Sequence, residues 1–235
     1  MEIHMTELAD HLGGHANKTH LDVGALTWLK QEFNATTYLD IGCGPGGMVA
    51  LAGTMGLDAT GVDGDHTLVR PNKNTFLLHD FATGPIKLDK QYDLGWSVEF
   101  VEHVNEEFIP NYITAFQSCK VIVMTYAPPG WRGHHHVNLQ EEDYWIAKMA
   151  EYGLIHSAEL TTTLREVSTM GYSKKAKEQD EDHIAARTEW KAANPDQTLK
   201  HFKNLYAKGI IDSLPWEEPF VRNRGLVFIN ETAKS

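Results

Sequence analysis

A glycine-rich segment near the start of the chain constrains the fold more than any other feature. The sequence reads YLDIGCGPGGMVALA from Tyr38 to Ala52: a short apolar run, a loop with Gly42, Gly44 and Gly47 spaced as G-x-G-x-x-G, and a helix-like run. A strand, a glycine loop and a helix in this order open a doubly wound sheet, and glycines let a ligand approach the loop backbone closely. The three glycines alone do not decide which ligand binds there.

Strand-like and helix-like segments alternate beyond this loop. The strand-like segments are DATGVDGD, TFLLHD, YDLGWS and KVIVMTYA, and the segments EEFIPNYITAFQSC and LQEEDYWIAKMAEYG read as helices. This alternation predicts an α/β fold with a doubly wound, mostly parallel sheet. We interpret AELTTTLREVST and GLVFIN as edge strands, with 174–220 inserted between them as a helical cap within a single domain spanning 1–235.

Charge and composition narrow the classes of partner. The chain has 235 residues and a formal net charge of −11, and this charge disfavours binding to phosphate backbones. The densest basic run consists of Lys174, Lys175 and Lys177, which we interpret as a solvated helix face. Its two cysteines suggest no disulfide framework. No secretory signal is recognised, and no apolar run approaches the roughly 20 residues that cross a bilayer. We therefore expect a cytoplasmic protein with a small-molecule substrate and no membrane or nucleic-acid partner; the oligomeric state is open.

Acidic residues at the ends of the first three strands favour one ligand for the glycine loop. Asp40 precedes Gly42 by two residues, where its carboxylate would repel the pyrophosphate of NAD and attract the ammonium and sulfonium groups of S-adenosylmethionine. Asp63 ends the second strand, where it can accept both ribose hydroxyls, and this position suits NAD equally. Asp80 ends the third strand, where it can accept from the adenine amino group, with Phe81 lying against the adenine face.

Four motifs in this order resemble those of class I S-adenosylmethionine-dependent methyltransferases: YLDIGCGPGG, GVDGD, LHDF and YDLGWSVEFVEHV, over roughly residues 19–160. The resemblance implies a Rossmann-like, seven-stranded sheet completed by the last strand, and an enzyme that uses S-adenosylmethionine. It also implies that Thr19 and His20 belong to a segment folding over the cofactor. The implied cofactor-binding residues are Asp40, Gly42, Cys43 and Gly44 for the methionine end, Asp63 and Gly64 for the ribose, Asp80 and Phe81 for the adenine, and Ser97 near the transferring methyl.

The segment after the fourth strand reads SVEFVEHVNEE, with Glu99, Glu102 and His103 at i, i+3 and i+4, so a helix here would place all three on one face. The pattern E-x-x-E-H resembles the metal-binding element of ubiquinone-biosynthesis O-methyltransferases and small-RNA 2′-O-methyltransferases. In those families a further histidine after the fifth strand can complete the site. Here GWRGHHHVNLQ supplies His134, His135 and His136. Two carboxylates and two imidazoles suit a divalent cation, so the candidate metal ligands are Glu99, Glu102, His103 and His136.

The same histidines support a second interpretation without metal, since EHV occurs at this position in many methyltransferases that bind none. His136, His135 or His103 would then serve as a general base, with His136 preferred because HVNLQ leads directly into a helix. We expect methylation of a small molecule, on oxygen. The alternatives are a macromolecular methyltransferase acting on RNA or protein, a non-catalytic S-adenosylmethionine-binding module and, most distantly, an NAD dehydrogenase.

Overall fold

The computed structural model describes residues 8–15, 17–70, 75–131, 133–170 and 220–233. Within them the strands, β1 to β7 in chain order, span Thr37–Ile41, Asp58–Asp63, Phe76–Leu78, Tyr92–Ser97, Cys119–Met124, Leu154–His156 and Leu226–Asn230. The α-helices, α1 to α6, span Val23–Glu32, Gly47–Thr54, Ile109–Gln117, Glu142–Ala150, Ala158–Val167 and Phe220–Arg224. Short 3-10 turns occupy Val101–His103 and Glu106–Phe108.

The strands form a seven-stranded sheet in the order β3-β2-β1-β4-β5-β7-β6. Strands β1 to β5 pair in parallel, and β7 runs antiparallel to both β5 and β6. The predicted α/β class and mostly parallel, doubly wound sheet are confirmed. The order reverses between β1 and β4, and ligands of such sheets bind at the carboxyl ends of the strands beside that point.

The central strands are buried on both faces of the sheet. Tyr38 and Trp96 pack into the core on one side, and Leu39 and Ile122 pack into the core on the other. Burial on both faces explains why these strands read as nearly continuous apolar runs rather than as alternating ones. It also fixes the strand ends, and with them the positions of the polar residues that follow each strand.

The end of the fold differs from the sequence interpretation. AELTTTLREVST is not an edge strand: it forms α5, whose start is capped by the Ser157 side chain accepting from the Leu160 N–H. The edge strand is the short β6 just before it. GLVFIN does form a strand, β7, but β7 lies inside the sheet between β5 and β6. The predicted cap at 174–220 lies outside the described residues except for Phe220, which begins α6.

None of the described helices is both long enough and apolar enough to cross a membrane.

Candidate active site

The glycine loop connects β1 to α2 at the carboxyl edge of the sheet. Gly42 and Gly44 have φ values of +75° and +50°, in the left-handed region that favours glycine. The N–H groups of Gly42 and Cys43 both donate to the Val62 carbonyl on β2, which ties the loop to the neighbouring strand. A side chain at Gly42 would collide with the ring of Phe100. The loop backbone is therefore closely packed on one side and held in a single shape.

Asp40 lies at the end of β1 just before this loop and is only 4% exposed. Burial raises the pKa of its carboxyl well above the usual value, and the charge of Asp63 raises it further. The thiol of Cys43 is also buried, and burial raises its pKa, so that it stays neutral. A buried carboxyl at this point is poised to gain from an arriving cationic group, because such a group would offset the cost of its charge.

Asp63, the predicted ribose acceptor, is held by several donors. Its Oδ2 accepts from the Gly44 N–H at 2.8 Å, and its Oδ1 accepts from the Asp65 N–H at 2.8 Å. Arg70 Nη2 lies 3.1 Å from the same Oδ1. The carboxylate thus joins the end of β2 to the glycine loop, in a fixed orientation.

The residues predicted to bind the adenine and the ribose lie next to the segment 8–15, near the start of the chain. Asp80 accepts from the Ala82 N–H through Oδ1 and from His11 Nε2, at 2.9 Å, through Oδ2. Leu12 lies close to Gly64, where an added Cβ would meet its Cδ2 at 2.7 Å. Phe81 is buried in a cluster of aromatic rings. Asp80 and Gly64 thus lie beneath the segment, and Phe81 belongs to the core beside them.

The same segment also reaches the histidine loop. His15 Nε2 donates to Asp65 Oδ2 at 3.0 Å, and His134 Nε2 lies 3.3 Å from the Leu12 carbonyl. Gly14 packs against His134 and His103. The segment 8–15 therefore contacts the residues around the cofactor cleft on one side and the histidines on the other.

Three further predicted residues have structural contacts. Thr19 Oγ1 accepts from the Gly47 N–H at the start of α2, at 3.1 Å, and His20 packs edge-on against the Phe220 ring. Ser97, at the end of β4, is fully buried and donates to the Ile41 carbonyl at 3.0 Å. These contacts place Ser97 at the junction of β1 and β4, next to the switch point of the sheet.

Among the described residues, one group of acidic and histidine side chains has the geometry to hold a metal ion. Glu102, His103 and His136 each offer a ligand atom, and these atoms all lie within 4.8 Å of one another. Both carboxylate oxygens of Glu102 are buried and accept no hydrogen bond from the described residues, and the carboxyl group of Glu99 lies close enough to raise the pKa of Glu102. The N–H groups of Val137 and Asn138 donate to the Glu102 carbonyl, which fixes the histidine loop against the 3-10 turn. Buried polar atoms normally have a partner, and a bound cation would be a suitable partner for these carboxylate oxygens.

Glu99 departs from the predicted single helical face. It has a φ of +53° and precedes the turn at Val101–His103, so that the three residues do not lie on one helix. Its N–H donates to Thr125 Oγ1 at 2.8 Å, and its Oε1 accepts from the same hydroxyl at 3.2 Å. Arg224 Nη2 lies 3.3 Å from that Oε1. Glu99 is therefore beside the cluster, and its Oε1 is engaged by a strand residue and by α6.

The protonation of the cluster follows from its burial. Burial lowers the pKa of His103 to about 4, with the neighbouring His136 adding to the effect, and burial also lowers the pKa of His136. Burial and the charge of Glu99 raise the pKa of Glu102 well above its usual value. Both imidazoles are therefore neutral near pH 7, which is the form that binds a metal or accepts a proton.

The three consecutive histidines have different surroundings. His136 Nδ1 lies 3.0 Å from the Trp131 carbonyl, which can only accept, so that Nδ1 carries the proton and Nε2 keeps its lone pair. His135 has a φ of +45°, and its buried Nε2 has no hydrogen-bond partner in the described part of the chain. His135 is not part of the metal-competent group, and its ring centroid lies 6.0 Å from that of His11.

Several residues that support this site were not predicted from the sequence: His11, His15, Arg70, Thr125 and Arg224. His11 and His15 lie in the segment ADHLGGHAN, which carries no recognised motif. Arg70 and Arg224 make their contacts with residues far away in the sequence, and spacing does not reveal such pairs. Thr125 directly follows β5, and its position at a strand end was the one available signal.

Comparison with known proteins agrees with this architecture. The family model described as a methyltransferase domain matches residues 39–122, from β1 into β5. No curated protein matches the sequence. The match confirms, over that segment, the predicted resemblance to class I S-adenosylmethionine-dependent methyltransferases. Residues 39–122, which are fewer than half of the chain, thus match a methyltransferase domain, and S-adenosylmethionine is the cofactor that the resemblance implies.

Solved structures similar to the chain are also methyltransferases by name. One is magnesium protoporphyrin IX methyltransferase from Synechocystis PCC 6803 with bound SAM, at 19% identity and a TM-score of 0.44, covering 56% of this chain and 66% of that one, slightly less than two thirds. Another is a TehB-like SAM-dependent methyltransferase from Corynebacterium glutamicum. It has 17% sequence identity and a TM-score of 0.46, and the match covers 58% of this chain and 76% of that one. A third is the methyltransferase domain of bacterial CtHen1-CN. It has 16% sequence identity and a TM-score of 0.43, and the match covers 57% of this chain and 85% of that one.

Proposed function

We propose that this methyltransferase transfers the methyl group of S-adenosylmethionine to an oxygen atom of a small molecule, at a site that also binds a divalent cation. The observation that carries the proposal is the group formed by Glu102, His103 and His136, with the two orphaned oxygens of Glu102. Neutral imidazoles and a carboxylate are donors that Mn²⁺, Zn²⁺ and Mg²⁺ accept, and methyl transfer to oxygen needs the acceptor hydroxyl to lose its proton.

The residues of the cofactor cleft have distinct tasks in this proposal. Asp40 attracts the ammonium group of the methionine end, and the loop through Gly42, Cys43 and Gly44 lies against it. Asp63 and Gly64 bind the ribose, and Asp80 binds the adenine amino group, with Phe81 supporting that side of the cleft from the core. Ser97 holds β4 to β1 near the reacting methyl. The cofactor supplies an electrophilic methyl group, and the chain supplies its alignment with the acceptor.

The residues of the metal-competent group position the acceptor. Glu102, His103 and His136 would hold the cation, with Glu99 beside them. A bound cation would lower the pKa of the acceptor hydroxyl and fix its direction. The Trp131 carbonyl fixes the tautomer of His136, so that its Nε2 lone pair is available to the cation or, in the metal-free alternative, to the acceptor proton.

A small acceptor is favoured over a polymer by the overall charge. The net charge of −11 repels a nucleic-acid backbone over the surface as a whole. The basic segments that a macromolecular acceptor would need, Lys174–Lys177 and Lys200–Lys208, lie outside the described residues. The chemical class of the small molecule is left to an acceptor screen.

The proposal is tested by metal binding and activity in one set of variants. Wild-type protein stripped with EDTA is titrated with Mn²⁺, followed by electron paramagnetic resonance, and assayed with labelled S-adenosylmethionine on a panel of phenols, catechols and sugars. We expect one bound Mn²⁺ and methyl transfer that needs added metal. Glu102→Gln should lose both, while Glu107→Gln, the same change at an exposed position five residues away, should keep both.

Two results would contradict the proposal in different ways. Methyl transfer that survives EDTA, with no Mn²⁺ bound, would remove the metal and leave His136 as the general base. Binding of S-adenosylhomocysteine without transfer to any acceptor, small molecule, RNA or protein, would favour a non-catalytic binding module.

A further inference from the structure

We propose that His135 is a cofactor-binding residue, whose ring nitrogen Nε2 forms a hydrogen bond with the adenosine half of S-adenosylmethionine. The inference rests on the proposed function, in which Asp80 binds the adenine. It moves His135 from the acceptor side, where a general base would act, to the cofactor side. The consecutive His135 and His136 are thereby assigned to two different ligands.

His135 combines two features that each cost stability. Its φ of +45° lies in the left-handed region, which histidine seldom adopts. Its Nε2 is buried and has no hydrogen-bond partner among the described residues. Within the part of the chain that the structure describes, no other residue combines a left-handed backbone with a buried, unpartnered side-chain atom. Such costs are typical of functional positions, where a bound ligand supplies the missing partner.

The surroundings of the His135 ring indicate which ligand this is. Its centroid lies 6.0 Å from that of the His11 ring, and His11 Nε2 donates to Asp80 Oδ2 at 2.9 Å. A ring that donates to Asp80 is therefore a neighbour of His135. An adenine whose amino group donates to Asp80 has the same relation to this carboxylate, so that His135 lies within its reach. A neutral imidazole nitrogen either donates or accepts, and adenine offers partners of both kinds.

The three consecutive histidines divide between the two ligands. His134 Nε2 lies 3.3 Å from the carbonyl of Leu12, whose side chain lies next to Gly64, the residue assigned to the ribose. His134 and His135 thus both contact the segment 8–15, where it lies on the residues that bind the nucleoside. His136 instead belongs to the metal-competent group, and His135 does not. One short loop therefore carries a residue for the cofactor and a residue for the cation.

The test removes the ring of His135 without straining the backbone. Glycine adopts a positive φ at no cost, so His135→Gly suits the loop, and the melting temperature of the ligand-free protein should not fall. We expect this variant to bind both S-adenosylhomocysteine and 5′-methylthioadenosine about fivefold to tenfold more weakly, measured by calorimetry, since both contain the adenosine half. Its affinity for Mn²⁺, measured by electron paramagnetic resonance, should change less than about twofold, since no metal ligand is lost.

Three further variants make the test specific. Asn34→Gly is the matched control for the backbone, because Asn34 has the same φ of +45° at an exposed position after α1, and it should leave every affinity unchanged. His136→Ala should give the opposite result to His135→Gly, with Mn²⁺ binding lost and the affinity for S-adenosylhomocysteine retained. In a His11→Ala background, His135→Gly should still weaken S-adenosylhomocysteine, because the proposed bond does not pass through His11.

Each outcome has a defined meaning. If His135→Gly leaves the affinity for S-adenosylhomocysteine unchanged but abolishes methyl transfer, His135 acts on the acceptor and the proposal is overturned. The proposal is also overturned if the effect disappears in the His11→Ala background, since His135 would then only support the segment 8–15. A fall in melting temperature with equal weakening of S-adenosylhomocysteine and Mn²⁺ would show that the ring only holds the loop together, and would overturn it as well.

Failure of the proposed function gives a different result. If the wild type does not bind S-adenosylhomocysteine at all, the cofactor assignment fails, and this inference fails with it. If the wild type binds S-adenosylhomocysteine but no Mn²⁺, only the cation of the proposed function is lost, and the affinities of His135→Gly for the two nucleosides still decide this inference.

Discussion

At the scale of single residues, Asp40 combines deep burial with a raised carboxyl pKa, and both have a consequence for binding. The cause of the shift is burial first and the charge of Asp63 second. A ligand ammonium group would favour the ionised carboxylate and form a charged hydrogen bond, which is worth about 1.5–3 kcal/mol. Asp40→Asn should therefore weaken S-adenosylhomocysteine by about that amount, measured by calorimetry.

Asp40→Asn should lower the affinity only for ligands that carry the ammonium group of the methionine end. 5′-Methylthioadenosine has the same nucleoside but no ammonium group, so Asp40→Asn should change its affinity less than about twofold, since no charged bond is lost. Asp58→Asn is the matched control, because Asp58 is exposed at the start of β2 and pairs with Lys90. Equal weakening of both ligands by Asp40→Asn would mean that Asp40 shapes the loop and does not recognise the ammonium group.

At the scale of elements, the side chain of Asp93 connects β4 to its two neighbours, β1 and β5. It lies near the amino ends of these strands, away from the candidate site. Its Oδ2 accepts from the N–H and the hydroxyl of both Thr36 and Thr37, and its Oδ1 accepts from Lys120 Nζ at 2.8 Å. Partial burial alone would raise the pKa of Asp93, but the bonds from Lys120, Thr36 and Thr37 outweigh it, so that the pKa is lowered. Asp93→Ala should lower the free energy of unfolding by about 2 kcal/mol at pH 7, measured by urea denaturation.

The pH dependence of this contribution has a definite sign. Because the pKa of Asp93 is lower in the folded than in the unfolded chain, its stabilisation is fully present above about pH 4, the usual value for an aspartate, and is lost as the pH falls below that. The difference between wild type and Asp93→Ala should therefore be constant from pH 5 to 8 and shrink in more acidic solution. Asp89→Ala, at an exposed position nearby, should change neither stability nor its pH dependence. A difference that instead grew on acidification would contradict the ion-pair account.

Elements with a strong local pattern were predictable from the sequence, and elements decided by long-range packing were not. The glycine loop, β1 to β5 and α2 to α4 follow from apolar runs, strand-end acids and helical spacing. In α5 the three consecutive threonines favoured a strand, but the Ser157 cap and the packing of Leu164 in the core decide for a helix. Glu99 lies off the helical face because Thr125, 26 residues away, fixes its backbone in a positive φ.

Some residues of the candidate site were predictable from the sequence, and others were not. Glu102, His103 and His136 follow from spacing and from the topology rule for strand ends, and the structure brings them together. Arg70 and Arg224 meet their partners only after the sheet has formed, so that no local pattern marks them. The contacts of His11 and His15 with Asp80 and Asp65 depend on the path of the chain before α1, which the periodicity of the sequence does not encode.

At the scale of the whole molecule, the topology brings the cofactor cleft and the metal-competent group to one edge of the sheet. The cofactor residues follow β1, β2 and β3, and the metal-competent residues follow β4 and β5. Because β1 and β4 are neighbours at the switch point, the two sets lie side by side. The segment 8–15 contacts both sets, through Asp80 on one side and His134 on the other. In the proposed function, an acceptor hydroxyl held by the second set would lie next to a methyl group held by the first.

The net charge of the whole chain leads to a prediction that separates small from macromolecular acceptors. Non-specific RNA binding arises from the release of counterions by basic residues, and in this chain 32 acidic residues outnumber 21 lysines and arginines, so that its net charge of −11 repels the phosphate backbone. We expect no binding of a labelled 20-nucleotide RNA at 150 mM salt up to about 100 μM protein, measured by fluorescence anisotropy on the full chain. A basic single-strand-binding domain in the same buffer serves as the positive control. Binding that weakens steeply as salt is raised would instead indicate several phosphate contacts, and would move the search for the methyl acceptor from small molecules to RNA.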